Sequence, residues 1–397
     1  MLNLSRLVGA PAPEGEDLRY GPGVSGARTG AMIGHGPVVV WNWTRSCNLA
    51  CSHCYADAVQ GRAPGELDTG QAGALIGELA ALRVPALLLS GGEPLMRPDA
   101  LELIARARGQ GLRCTVSTNG TLIDDAMADA LAAAGITYVG VSLDGPPDVH
   151  DRWRGRRGAH AATVAGIRRL RARGVRVGLR FTLHRGSAAY LPHMLESAQA
   201  LGIARVCVYH LVPEGRGRQL AGSAMERGQE RAAVAWMLAQ ALRLGHEGSD
   251  IEFLTVDNHS DGPFTYLWLR RHHPELAEGA WRLLRRNRGN RSGVALAAVG
   301  PRGDVHPDQF SRNLVLGNVL ERPLGEIWEG EAEAPLLRRF RERERYIHGR
   351  CAGCAWFSVC NGNLRARAAA AGDLWGEDPG CLLEDAEVAG EGEAGPP

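Results

Sequence analysis

The sequence contains no lysine, so every permanently charged side-chain cation is an arginine. That excludes Schiff-base catalysis through a lysine amine and a phosphate loop built around a lysine. Long apolar runs are also missing: none approaches the roughly 18 residues of a membrane span. The first 35 residues lack a basic start followed by an apolar core, so the chain reads as cytoplasmic. Excess charge is absent too. The 45 basic and 44 acidic residues leave a formal charge of +1, which points to neither nucleic acid nor an anionic membrane as a partner. Aromatics make up only 6%, yet a hydrophobic content of 45% over 397 residues can bury a full core.

What is present is a repeating pattern. From Val38, short β-branched runs ("VVVWNW", "ALLLSGG", "RCTVSTNG", "YVGVSLDG", "VRVGLRFTL", "ARVCVYHLVP") alternate with Ala/Leu/Arg stretches of helical period, and six such β/α units fit residues 38–213. The fold class is therefore α/β, a partial (β/α)6 TIM-like barrel; that a small C-terminal iron-sulfur domain follows it is what a family resemblance given below implies. Residues 1–35, rich in Gly and Pro, read as an extended lead-in, 36–220 as the barrel, and 221–340 as a helical and mixed connecting region facing substrate. Residues 341–385 hold a cysteine cluster, and 386–397 read as a disordered acidic tail.

Nine cysteines in tight groups suggest metal ligation in a reducing compartment rather than disulfides. "CNLACSHCY" places Cys47, Cys51 and Cys54 directly after the first expected strand. A structural zinc wants a closed set of four ligands, and a cubane cluster has four irons to ligate, so three thiolates leave one position open. His53 could be a fourth ligand, although a residue packed between two ligands seldom turns inward as well. Cys114 and Cys207 lie inside strands and read as buried apolar fillers.

This spacing resembles that of the radical S-adenosylmethionine (SAM) enzymes. The resemblance implies that SAM binds the open iron of a 4Fe-4S cluster and is cleaved by one electron to give a 5′-deoxyadenosyl radical. It also implies that Gly91, Gly92, Glu93 and Pro94 of "SGGEP", Ser117 and Asn119 of "STNG", Ser142 and Asp144 of "SLDG", and Arg180 of "LRFTL" contact SAM. All fall at the carboxyl ends of expected strands, the face on which β/α folds build sites.

Cys351, Cys354, Cys360 and Cys381 form a second set with enough ligands to close its own site. Four cysteines suit a structural zinc. The pattern also resembles the SPASM-type C-terminal domain that radical SAM enzymes use for auxiliary 4Fe-4S clusters. That domain in full holds two clusters, but Asp308 and Leu364 stand where cysteines of the other are expected, which implies one auxiliary cluster and two 4Fe-4S clusters in all.

Segments such as "YHLVPEGRGR", "TVDNHSDG", "GDVHPDQF" and "CAGCAWF" are similar to those of the tetrapyrrole-tailoring branch, the didecarboxysiroheme deacetylases and haem d1 biosynthesis enzymes. The resemblance implies an iron tetrapyrrole substrate, removal of its two acetate arms to give iron-coproporphyrin III, and a low-potential electron donor of flavodoxin or ferredoxin type. "SRNLVLGN" after "HPDQF" departs from the expected pattern, where aromatics would stand, and keeps open the haem d1 alternative of propionate removal. Arg152, Arg154, Arg216 and Arg218 are the candidate holders of substrate carboxylates. His210, His259 and His306 are the candidate proton donors or axial ligands. A ribosomal-peptide maturase is a further alternative, though the short Pro/Gly-rich start leaves no room for a leader-binding winged helix.

Overall fold

The computed structural model describes the chain apart from residues 12–15, 25–26, 28, 62, 331–334 and 392–394, and the side chain of residue 221. Eleven strands form one sheet: β1 (Leu2–Asn3), β2 (Val38–Thr44), β3 (Leu87–Gly91), β4 (Cys114–Thr118), β5 (Tyr138–Ser142), β6 (Val177–Leu183), β7 (Arg205–His210), β8 (Glu252–Val256), β9 (Leu296–Val299), β10 (Asp304–His306) and β11 (Gly317–Asn318). Their order is β1-β8-β7-β6-β5-β4-β3-β2-β9-β10-β11. Strands β2 to β7 are the six expected β/α strands, parallel and in sequence order. Apolar residues dominate them because helices cover the outer face and the barrel interior the other; Val39, Trp41, Leu87, Val139, Leu179 and Val208 are all buried. Asp68 starts the helix Thr69–Ala81 with a capping box closed by Gln71, and Gly202 ends the helix Leu191–Leu201 in a left-handed turn.

The sheet extends beyond these six strands at both edges. Parallel β8 follows β7, and β9 pairs in parallel with β2 before β10 and β11 turn back. All four come from the region expected to connect and face substrate. The lead-in also differs from the expectation: β1 pairs antiparallel with β8, Ser5 Oγ accepts the Phe253 N–H at 2.9 Å, and Leu2, Leu4 and Leu7 enter the core. Leucines at positions 2, 4 and 7 can cover an open sheet edge, and that edge is visible only after the barrel has formed. The acidic tail likewise contains an ordered helix, Asp385–Ala389. Glu387 pairs with Arg231 at 2.6 Å, its carbonyl accepts Trp356 Nε1–H at 2.8 Å, and Val388 is buried. Among the described residues no helix is long and apolar enough to cross a membrane.

Candidate active site

The loop after β2 is tied down before its cysteines are placed. The Cys47 N–H donates to the Val59 carbonyl and the Val59 N–H to the Arg45 carbonyl, both at 2.9 Å, closing the loop on itself. Arg216 grips it from outside, donating from Nε to the Cys51 carbonyl at 2.8 Å and from Nη1 to the Ala58 carbonyl at 2.6 Å. Arg154 lies 3.7 Å from Cys51 Sγ and is paired at 2.7 Å with Asp144. Both arginines therefore build the cysteine loop while lining the large cavity, and Arg216 Nη2 and Arg154 Nε keep no hydrogen-bond partner. Arg218 pairs with Glu214 at 2.6 Å with its side chain 63% exposed, and Arg152 is exposed on the outer face of its helix. The four-arginine set expected from the sequence is thus not brought together. Arginine-rich segments near a barrel mouth do not reveal which carbonyls and carboxylates already occupy them.

Cys47, Cys51 and Cys54 edge a cavity of about 1210 Å3 inside the barrel. None of the nine cysteines is in a disulfide. Burial pushes the Cys47 thiol up to about 12, so iron binding there must displace a proton. His53 does not turn toward the thiols. Burial holds its pKa down at about 4, its Nε2 is 3.6 Å from Asp144, and its ring meets Trp153 edge-on.

The strand ends differ in role. Gly91 and Gly92 line the cavity, but their missing side chains serve the backbone behind them. A Cβ on Gly91 would lie 2.3 Å from the Thr44 carbonyl, and one on Gly92 the same distance from that of Ser46. Pro94 opens a single turn of 3-10 helix, Pro94–Met96. Glu93 is 0% exposed and its carboxylate accepts from Thr118 Oγ1 at 2.7 Å, the Asn119 N–H at 2.8 Å and the Leu95 N–H at 3.3 Å. It joins β3 to β4, and burial pushes its pKa up to about 7. Asp144 is similarly committed to Arg154. Glu93 and Asp144 are thus occupied within the protein, whereas Ser117, Asn119, Ser142, Arg180 and Thr182 line the cavity. Arg180 lies over the Tyr209 ring at 4.5 Å and donates to Ser117 Oγ. Asn119 also donates to Asn48 at 2.8 Å, linking β4 to the cysteine loop.

Of the three histidines, His210 and His259 line the cavity. His210 is held by Asp261 at 3.0 Å and Glu230 at 3.6 Å; burial works against its charge, but these carboxylates pull its pKa up to about 10. It is a buried ion pair. His259 keeps Nδ1 without a hydrogen-bond partner, and burial lowers its pKa. His306 Nδ1–H donates to the Leu314 carbonyl, 3.1 Å away, and belongs to the β10 turn. Two cavity residues escaped the sequence reading. Tyr55 bonds Asn42 at 3.1 Å and stacks edge-on with Phe310. Asp257, just after β8, has φ +70° and a carboxyl that burial pushes up to about 7. Its place in "TVDNHSDG" was a usable signal. The segment Gly289–Ser292, which also lines the cavity, showed nothing beyond loop punctuation.

Cys351, Cys354, Cys360 and Cys381 edge a separate small cavity together with Gly362 and Asn363. Burial raises all four thiols. Leu364, at a position where another cluster would need a cysteine, packs with Val212, Phe310 and Ala366, while Asp308 accepts the Phe310 and Ser311 N–H groups. Val212, Asp308, Phe310 and Leu364 all line the large cavity.

Three free thiols at the end of a barrel's first strand, facing a large cavity, place the molecule in a class. Residues 41–189 match the radical SAM superfamily and residues 293–355 the SPASM iron-sulfur cluster-binding domain, so SAM and iron-sulfur clusters are its cofactors. The SPASM match begins before the expected boundary at 341 and includes β9 to β11. The chain is 41% identical to Fe-coproporphyrin III synthase of Methanosarcina barkeri, covering 98% of this chain and 99% of that one. It is 39% identical to pre-heme d1 synthase of Dinoroseobacter shibae, over 89% and 87% of the two chains. Streptococcus suis SuiB bound to S-adenosylmethionine shares the fold, with a TM-score of 0.67 at 16% identity over 87% of this chain and 77% of that one. The chain belongs to the radical SAM family that contains Fe-coproporphyrin III synthase and pre-heme d1 synthase.

Proposed function

We propose that this enzyme removes the two acetate side chains of didecarboxysiroheme to give iron-coproporphyrin III. The observation that carries the reading is the placement of Cys47, Cys51 and Cys54 on the wall of one large cavity, at about 1210 Å3 big enough for a macrocycle beside SAM. The 41% relative over nearly the whole chain supplies the reaction. A 4Fe-4S cluster on these thiols would supply the electron that splits SAM, giving a radical able to take hydrogen from a side-chain methylene. The chain's own residues do the rest. Arg154 and Arg216 fix the thiol loop, Gly91 and Gly92 let the β3 turn seat against it, and Ser117, Asn119, Ser142 and Arg180 present polar groups to SAM. Arg180 has no carboxylate partner among the described residues, which leaves its charge for an anionic group of a ligand.

Cys351, Cys354, Cys360 and Cys381 hold a second 4Fe-4S cluster, which makes two in all and serves as an electron relay for the substrate radical. A flavodoxin or ferredoxin type of donor reduces the enzyme in a reducing, cytoplasmic setting that keeps nine cysteines free. The second reading, action on propionate arms as in haem d1 formation, is favoured by the 39% identity to pre-heme d1 synthase. An anaerobic assay of the reconstituted enzyme with SAM, dithionite and didecarboxysiroheme separates the two readings. Loss of two acetate arms together with 5′-deoxyadenosine is the expected result; a propionate-derived mass change would transfer the enzyme to the second reading. Deoxyadenosine with an unchanged macrocycle would reject both readings.

A further inference from the structure

Two arginines near the second thiol site are buried without a carboxylate. Arg343 is 2% exposed and Arg365 is 0% exposed. Arg343 donates to the Phe340 carbonyl at 2.9 Å, Asn290 Oδ1 at 2.8 Å, the Asn361 carbonyl at 3.3 Å and the Ser292 carbonyl. Arg365 donates to the carbonyls of Leu374 at 3.1 Å, Gly376 at 2.6 Å and Gly362, and its Nε has no partner. Neither forms an ion pair among the described residues. The carboxylates that act on them through space are engaged elsewhere: Asp378 is bonded to Arg367 at 2.7 Å, and Asp308 accepts two backbone N–H groups. Withdrawing a guanidinium from water costs several kcal/mol, and neutral carbonyls return only part of it.

The missing negative charge has an obvious place. Asn361 follows Cys360 directly, and the Asn290 that holds Arg343 donates its N–H to the Cys360 carbonyl at 3.1 Å. The Gly362 carbonyl that holds Arg365 belongs to a residue lining the four-thiol cavity. Arg343 thus binds the carbonyl one residue after Cys360 and Arg365 the carbonyl two residues after it, and both are held by several hydrogen bonds. By contrast, Arg154, the guanidinium at the first thiol site, has Asp144 as partner.

We propose that Arg343 and Arg365 are the buried counter-charges of the auxiliary cluster and that they raise its reduction potential. The proposal rests on the reading that Cys351, Cys354, Cys360 and Cys381 hold a 4Fe-4S cluster. Four thiolates make that cluster a net anion, and reduction adds one further negative charge, so a fixed nearby cation favours the reduced form. Burial lowers the pKa of both guanidiniums.

The test is an anaerobic redox titration of the reconstituted holoenzyme followed by electron paramagnetic resonance, with iron and sulfide content measured in parallel. SAM alters the signal of the first cluster and leaves that of a saturated cluster unchanged, which tells the two apart. In Arg343→Gln and Arg365→Gln the midpoint of the SAM-insensitive cluster shifts downward with iron content retained and the first cluster's midpoint unmoved. Arg343→Lys, which keeps the charge, restores most of the shift. An unchanged midpoint in both glutamine variants at full iron content overturns the proposal. Equal iron loss from the second site in the glutamine and lysine variants also overturns it, because both arginines would then act as structural clips. A wild-type enzyme with no SAM-insensitive cluster would reject the underlying cluster reading instead.

Discussion

The two thiol sites of this protein are built from the same ligand type and differ in almost everything around it. The first has three thiols on a loop at the end of β2, on the wall of the large cavity. The second has four thiols around a small cavity of their own. At the first, Arg154 is balanced by Asp144; at the second, Arg350 is balanced by Asp385, but Arg343 and Arg365 have no carboxylate. Ligand count decides whether a cluster has a position left for SAM, and the surrounding charge decides what electron transfer the cluster favours. The protein therefore sets three thiols on the wall of the large cavity and four around a small cavity of their own.

The largest way to separate the sites is to remove one ligand from each. Cys51→Ala abolishes formation of 5′-deoxyadenosine with dithionite and SAM, whereas Cys354→Ala keeps uncoupled SAM cleavage and stops tetrapyrrole product. Loss of cleavage in both variants would make the second site merely structural. Next is the ion pair at the first site. Asp144→Ala leaves Arg154 buried without its partner, with an expected cost of ~3–5 kcal/mol in urea unfolding. The same change should release iron from the first site and spare the second; uniform iron loss would contradict the separation.

Smaller effects come from two glycines. Gly92→Ala brings a Cβ to 2.3 Å from the Ser46 carbonyl, and Gly289→Ala, at φ +63°, to 2.2 Å from that of Cys360. Each is expected to cost ~1–3 kcal/mol, with iron lost selectively from the first site in one case and from the second in the other. A pH dependence belongs to the large cavity alone. His210 has its pKa raised above its ordinary value of 6.5 to about 10, so its pairing with Asp261 contributes stability that is full below pH 6.5 and lost as pH rises through 10. His210→Gln should flatten that part of the stability profile in calorimetric scans; an unchanged slope would assign the titration to another group.

The sequence was most legible where chemistry and periodicity coincide. The strands β2 to β7 announced themselves as apolar runs, and each cysteine group as a spacing. It was less legible where a residue's role depends on a partner distant in the chain. Arg154 and Arg216 stand in basic segments, and only the fold shows that Asp144 and the carbonyls of Cys51 and Ala58 bind them. Only the fold shows, too, that Glu93 bridges β3 and β4. The lead-in looked like loop because its composition is Gly- and Pro-rich, while the β8 edge that orders it lies about 250 residues away, with Leu2 paired to Thr255.

By itself, the sequence determined the alternation that makes a parallel barrel and the number of thiols in each group, because these follow from local period and spacing. Ligand count, and with it the distinction between an open and a saturated cluster, was also local. Tertiary structure alone decided which polar groups face the cavity and which are consumed in holding it, because those roles depend on long-range pairing. The same holds for Arg343 and Arg365, which look like ordinary surface residues in an arginine-rich chain. Folding encloses them beside four thiols, where water can no longer balance their charge.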